Sequence, residues 1–171
     1  MFHPTVFENI KVALENQLYD LDNLDSRIEI TDRTDTLDLA RMSRTFTLSF
    51  RVSGSHRVVS EVILRAGLRD LADEILEVPE ALPGCRLLLR FHLGIAEPET
   101  QCPRIAAELG RVWGPEPQPV LRLSYVYGAA SETFQVSAEL DFRRTITEEQ
   151  MEDLPDLLEH VLRSAEALES V

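Results

Sequence analysis

Alternation of apolar and polar residues dominates the middle of the chain. In the stretch TFTLSFRV, residues 45–52, every second residue is apolar. The pattern marks the segments 45–52, 85–93 and 133–144. Two more segments are each joined to one of these across a glycine turn: 57–66 at Gly54 and 120–127 at Gly128. Successive side chains of a strand point to opposite faces, so each such strand has one apolar face. The pattern predicts a mainly antiparallel sheet of five to six strands with helices packed on one face.

Other segments carry apolar residues at the spacing of three and four that is typical of a helix. They are 5–20, 68–78, 102–113 and 147–169, and Pro155 should kink or restart the last one. The element order is then helix, hairpin, helix, strand, helix, hairpin, helix, which suggests two helix–hairpin–helix halves. A length of 171 residues suits one domain, so residues 1–171 are predicted to form a single α+β domain.

The charge of −13 is confined to the two ends of the chain. Residues 1–40 hold nine acids and three bases, residues 148–171 hold eight acids and one base, and the middle is neutral. The acidic parts are thus the N-terminal helix and loop, 5–40, and the C-terminal helix, 147–171. Such ends repel phosphate and anionic lipid headgroups, so we expect neither a nucleic-acid partner nor a membrane partner.

Six aspartates between Tyr19 and Ala40 raise the question of a metal site. An EF-hand loop that began at Asp20 would need an oxygen ligand at its fifth position, a glycine at its sixth and a glutamate at its twelfth. The residues there are Leu24, Asp25 and Thr31, so no metal is predicted. A short strand at 27–30 should divide the aspartates between two solvated loops.

Motifs for cofactor chemistry are absent from the sequence. All seven glycines stand alone, which excludes the phosphate-binding loops GxGxxG and GxxxxGK, and neither GxSxG nor HExxH occurs. Cys85 and Cys102 belong to apolar patterns and are expected to be inert buried thiols. No cofactor is therefore predicted. The N-terminal sequence lacks the apolar run of a signal peptide, which favours a cytoplasmic location.

His92 is the one candidate catalytic residue. It lies on the polar side of the strand 85–93, with Arg90 two residues away on the same face. It could act as a general base or contact an anion in a pocket. The sequence favours the alternative, an ordinary half-exposed strand residue, because no partner nucleophile is visible in it.

The polar face of the predicted sheet is rich in arginine. Guanidinium groups suit the recognition of carboxylates and peptide groups. Glu61, Glu139 and Asp141 lie on the same face and could instead neutralise the arginines. The predicted binding residues on this face are Arg51, Arg86, Arg90, His92, Arg122 and Arg143.

The element order and acidic balance resemble those of the small dimeric chaperones of bacterial secretion systems. The resemblance covers most of the chain and includes no shared motif. It implies a homodimer that holds a protein partner. Our first hypothesis is a cytoplasmic, non-catalytic interaction module of adaptor or chaperone type. The alternative is a small-ligand-binding protein or hydrolase-like enzyme with a pocket near His92, and we leave open whether the chain is an enzyme.

Overall fold

A computed structural model describes residues 5–129 and 133–171 of the chain. The described residues form four helices and six strands, in agreement with the α+β prediction. In chain order the elements are α1 (Thr5–Asn23), β1 (Ile28–Asp38), β2 (Ser43–Val52), β3 (Val59–Ala66), α2 (Leu68–Ile75), β4 (Cys85–Ile95), α3 (Pro98–Trp113), β5 (Val120–Ser124), β6 (Phe134–Ile146), a 3-10 turn (Glu148–Asp153) and α4 (Leu154–Glu169). The 3-10 turn ends at Asp153 and α4 begins at Leu154, so the last helix restarts beside Pro155, as predicted.

The six strands form one antiparallel sheet in the order β1-β2-β3-β4-β6-β5. The central strand β4 is flanked by the second strand of each hairpin, β3 on one side and β6 on the other. The predicted order of two halves around a central strand is therefore present, although the first half has the additional strand β1. The two edges of the sheet are β1 and β5.

The apolar faces of the central strands meet the helices in one buried layer. Phe91 in β4 is fully buried between Ser60 of β3 and Ala138 of β6, which are its partners in the strand register. α1 and α4 cover this face with Ile10, Leu14, Leu18, Leu158, Val161 and Leu168, all buried. Each such side chain stabilises the fold by about 1.5–3 kcal/mol. This layer confirms the prediction of helices packed on one face.

Strand β1 corrects the expectation of two acidic loops. It runs from Ile28 to Asp38 and pairs with β2 along its length, with one register shift after Ile30. Beyond Ile30 its residues are exposed, so no apolar alternation marks it as a strand. The backbone groups on its inner side bond to β2, and its threonines favour extended structure. Asp32, Asp35 and Asp38 therefore belong to an edge strand.

Ion pairs tie this acidic edge strand to α1. The side chain of Lys11 is buried and lies 2.7 Å from Glu8 and 3.2 Å from Asp35. Arg44 of β2 bonds to the same two carboxylates, at 2.8 Å and 2.6 Å. Hydrogen bonds from Arg44, and then from Lys11, hold the pKa of Asp35 below its ordinary value. The aspartate run is thus partly structural.

Gly84 permits a close contact at the start of β4. A side chain at this position would overlap the backbone carbonyl of Ile146 at the end of β6. Glycine is the residue type that leaves this space free, so the entry into β4 depends on it.

Candidate functional site

The predicted binding residues lie on the sheet face opposite the helices. Arg86, Arg90 and His92 alternate with buried core residues of β4, and Arg51 does the same on β2. Arg122 lies on the short strand β5 opposite Ser137 of β6 and diagonally from Glu139. The predicted set therefore shares one face, except that Arg143 lies in an irregular part of β6.

Carboxylates on the same face pair with most of these arginines. Arg90 lies 2.8 Å from Glu139 and 3.2 Å from Glu61. Arg86 pairs with Asp141, and Arg122 lies 3.7 Å from Glu139. The Arg86 guanidinium lowers the pKa of Asp141, which keeps this carboxyl ionised. At the centre of the face, the arginines and carboxylates of this chain therefore neutralise one another.

An apolar pair beneath this network was missed by the sequence reasoning. Ile63 and Leu88 are register partners on β3 and β4, and both are buried although they lie outside the helix-covered core. Arg86 and Arg90 flank Leu88 on the same face. Arginine stems commonly cover apolar surface while their charged ends reach water. The apolar runs 62–64 and 87–89 interrupt the alternation, and they are the sequence signal that indicates this second layer.

His92 faces a carboxylate. Its Nε2 atom lies 3.1 Å from Glu61, and this hydrogen bond is the main cause that lowers the pKa of Glu61. The cysteines are unsuited to nucleophilic attack, because burial raises the pKa of Cys85 to about 12 and also raises the pKa of Cys102. Neither cysteine therefore supplies an activated nucleophile for this histidine.

A groove of about 660 Å³ lies where β5 begins, beside β6. It is lined by Glu116, Pro117, Gln118, Val120, Arg122, Glu139, Asp141, Phe142, Arg143 and Arg144. A second groove of about 400 Å³ lies between α3 and the loop that leads to β5. His92 lines neither of them, whereas Arg122 and Arg143 of the predicted set both line the first.

A bulge in β6 shapes the larger groove. The β4–β6 register jumps from Arg86 opposite Thr145 to Leu88 opposite Asp141, so β6 carries extra residues there. Arg143 within the bulge has φ of +53°, a left-handed conformation that is uncommon for residues other than glycine. Bulges of this kind redirect side chains and are common beside functional sites. Nothing in the sequence marks this irregularity.

Among the described residues, ten of the fifteen exposed large apolar side chains fall on two surfaces, and the other five are Val12, Tyr19, Leu24, Leu37 and Leu39. The first, which we call the β5 edge, comprises β5 and the residues after it, with Val120, Leu123, Tyr125, Val126 and Tyr127 exposed. The second, the α2 patch, comprises residues 68–82, with Leu68, Ile75, Leu76, Val78 and Leu82 exposed. The expected burial of an apolar stripe on α2 is met by Leu71 but is wrong for Leu68 and Ile75.

The part of the chain that the structure describes contains no cluster of three or more histidine, cysteine or acidic residues that could hold a metal ion. None of its helices is both long and apolar enough to cross a membrane. No protein-family model, curated protein or solved structure matches the chain.

Proposed function

We propose that this chain is a non-catalytic protein-interaction module of adaptor or chaperone type, which acts in the cytoplasm as a homodimer. The observation that carries the proposal is the concentration of exposed apolar side chains at the β5 edge and the α2 patch. Contiguous exposed apolar surface on a folded domain is typical of interaction sites. The centre of the sheet face contributes less, because its arginines are held by carboxylates of the same chain.

The β5 edge is proposed to bind an extended segment of a partner protein. β5 pairs with β6 on one side, and its other side has no neighbouring strand among the described residues. An edge strand with free backbone donors and acceptors can pair with an added strand, and adjacent side chains then give specificity. Leu123 and Tyr125 are exposed beside this edge, so an added strand could bury them.

The α2 patch is proposed to contact a second copy of the chain. It combines five exposed large apolar side chains with five carboxylates and a single arginine. Burial of the apolar side chains favours association, whereas the carboxylates of two copies repel each other. Salt screens that repulsion, so dimerisation through this patch should strengthen as salt concentration rises.

The alternative function near His92 has less support. A ligand pocket would be expected to enclose the histidine with a few converging polar groups. His92 lies outside both grooves, and its ring is engaged by Glu61. We therefore do not assign it a reaction.

Selection of linear peptides displayed on phage against the immobilised chain tests the proposal. Peptides enriched on the wild type should lose binding to a Leu123→Asp variant, which places a charge on the β5 edge. They should bind normally to Leu24→Asp, which changes a leucine that follows α1 and is 75% exposed, against 44% for Leu123. Failure to enrich any peptide, or equal binding to both variants, would contradict the role of the β5 edge.

A further inference from the structure

We infer that the groove beside the β6 bulge recognises acidic side chains of the extended segment bound at the β5 edge. The inference rests on the proposed function and adds the chemistry of the partner. It assigns the recognition to Arg143 and Arg144, of which only Arg143 belongs to the set predicted from the sequence.

Because β5 begins only at Val120, the last part of β6 has no neighbouring strand on that side among the described residues. Pairing between these strands stops at Val120 and Glu139, but β6 continues to Ile146. Along this continuation, the outer side of β6 faces the groove, with the segment 116–118 as the opposite wall. A segment added at the β5 edge and extended past Val120 would enter this groove, so backbone pairing and groove contacts are continuous.

The charges of the groove favour an acidic occupant. Asp141 is engaged by Arg86 and by the backbone amide of Arg143, the latter at 2.9 Å. Glu139 is engaged by Arg90 at 2.8 Å. Within the described residues, neither Arg143 nor Arg144 forms an ion pair, and both are exposed.

Glu116 is the remaining carboxylate of the groove, and it too forms no ion pair within the described residues. Two arginines and one glutamate of the groove thus form no ion pair within the described residues, so the groove has an excess of positive charge, although the chain has a net charge of −13. Guanidinium groups bind carboxylates through paired hydrogen bonds, so a carboxylate is the ligand that this excess fits best.

The groove also offers apolar surface for alternate side chains. Pro117, Val120 and Phe142 line it, and the Phe142 ring packs edge-on against Trp113 with centroids 5.3 Å apart. Trp113 is itself fixed by a 2.8 Å hydrogen bond from its indole to Ser164 of α4. A strand presents alternate side chains to opposite sides, so a segment that alternates acidic and apolar residues suits both parts of the groove.

Fluorescence anisotropy with three labelled eight-residue peptides tests the inference. The peptides alternate valine with aspartate, with lysine or with serine. The aspartate peptide should bind the wild type about tenfold or more tightly than the other two, as charged hydrogen bonds imply. The double variant Arg143→Asn and Arg144→Gln should lose that advantage and keep its affinity for the serine peptide. Asparagine tolerates the left-handed backbone at position 143.

Arg41→Gln is the matched control, because Arg41 is an exposed arginine at the opposite edge of the sheet, between β1 and β2. It should leave all three affinities unchanged. Equal binding of the aspartate and serine peptides, or an unchanged preference in the double variant, would overturn the inference and leave the proposed function standing. Absence of binding by all three peptides would also overturn it, and the phage selection would then decide the proposed function separately.

Discussion

Substitutions of two adjacent residues of β4 should have very different effects on stability, because their side chains lie on opposite faces of the sheet. Phe91 is 0% exposed, and its cross-strand partners are the small residues Ser60 and Ala138, which cannot fill the space left by its ring. Phe91→Ala should therefore destabilise the fold by about 3–5 kcal/mol. In a domain of this size, 1 kcal/mol lowers the melting temperature by about 2–4 °C, so we expect a decrease of about 6–20 °C.

His92→Ala should have a much smaller effect. The side chain of His92 is 38% exposed, and its contact with Glu61 is a partly exposed hydrogen bond, which stabilises a protein by about 1 kcal/mol. The pKa of Glu61 is lowered from 4.5, first by the hydrogen bond from His92. A lowered folded-state pKa contributes stability above the unfolded-state value, and this is lost as pH falls through the folded-state pKa. The cost of His92→Ala should thus diminish below pH 4.5.

Urea denaturation followed by circular dichroism measures both effects. Phe91→Ala should lower the midpoint strongly with an unchanged slope, whereas His92→Ala should leave the midpoint close to that of the wild type. Similar midpoints for the two variants would refute the assignment of these residues to opposite faces.

Three further predictions concern stability and are read from the same denaturation curves. Leu158→Asp buries an unpaired carboxylate in the core and should abolish or severely weaken folding. Glu159→Ala removes an exposed ion pair and should lower stability by less than about 1 kcal/mol. Equal unfolding midpoints for the two variants would contradict the packing of α4. Gly84→Ala forces a methyl group against the β6 backbone and should destabilise the fold. Gly110→Ala adds a methyl group in open space on a helix and should stabilise the fold by up to about 1 kcal/mol. A more stable Gly84→Ala than Gly110→Ala variant would contradict the packing described around both glycines. Asp35→Asn should lower stability by about 1–3 kcal/mol at neutral pH. Because the folded-state pKa of this carboxyl is lowered, the difference in stability from the wild type should become smaller below pH 3.8. A difference that does not change with pH would show that the ion pairs of Asp35 are not its cause.

The central sheet could be predicted because its strands bury one side each. In β4, Arg86, Arg90 and His92 alternate with buried core residues as predicted, and Leu88 is the exception because it is buried on the polar face. The same reasoning failed for β1, since an edge strand that is exposed beyond Ile30 has no apolar alternation to display. α3 also begins earlier than expected, at Pro98, so that Pro103 lies inside the helix and not in its first turn.

The candidate site was predictable in composition but not in detail. Alternation was enough to assign Arg90 and Arg122 to one face. It could not show that Glu61 and Glu139 lie within bonding distance of Arg90, because that depends on the strand register. The left-handed conformation of Arg143 depends on a bulge that sequence periodicity cannot reveal.

Sedimentation velocity over a hundredfold range of concentration tests the central claim, that the exposed apolar surfaces are interaction surfaces. The wild type should sediment as a dimer of twice 19.4 kDa, and more completely at higher salt. The double variant Leu76→Asp and Leu82→Asp, which changes residues that are 71% and 80% exposed, should sediment as a folded monomer. Leu24→Asp, at a position 75% exposed but outside both surfaces, should remain dimeric. A wild type that sediments at 19.4 kDa under all these conditions would contradict the account.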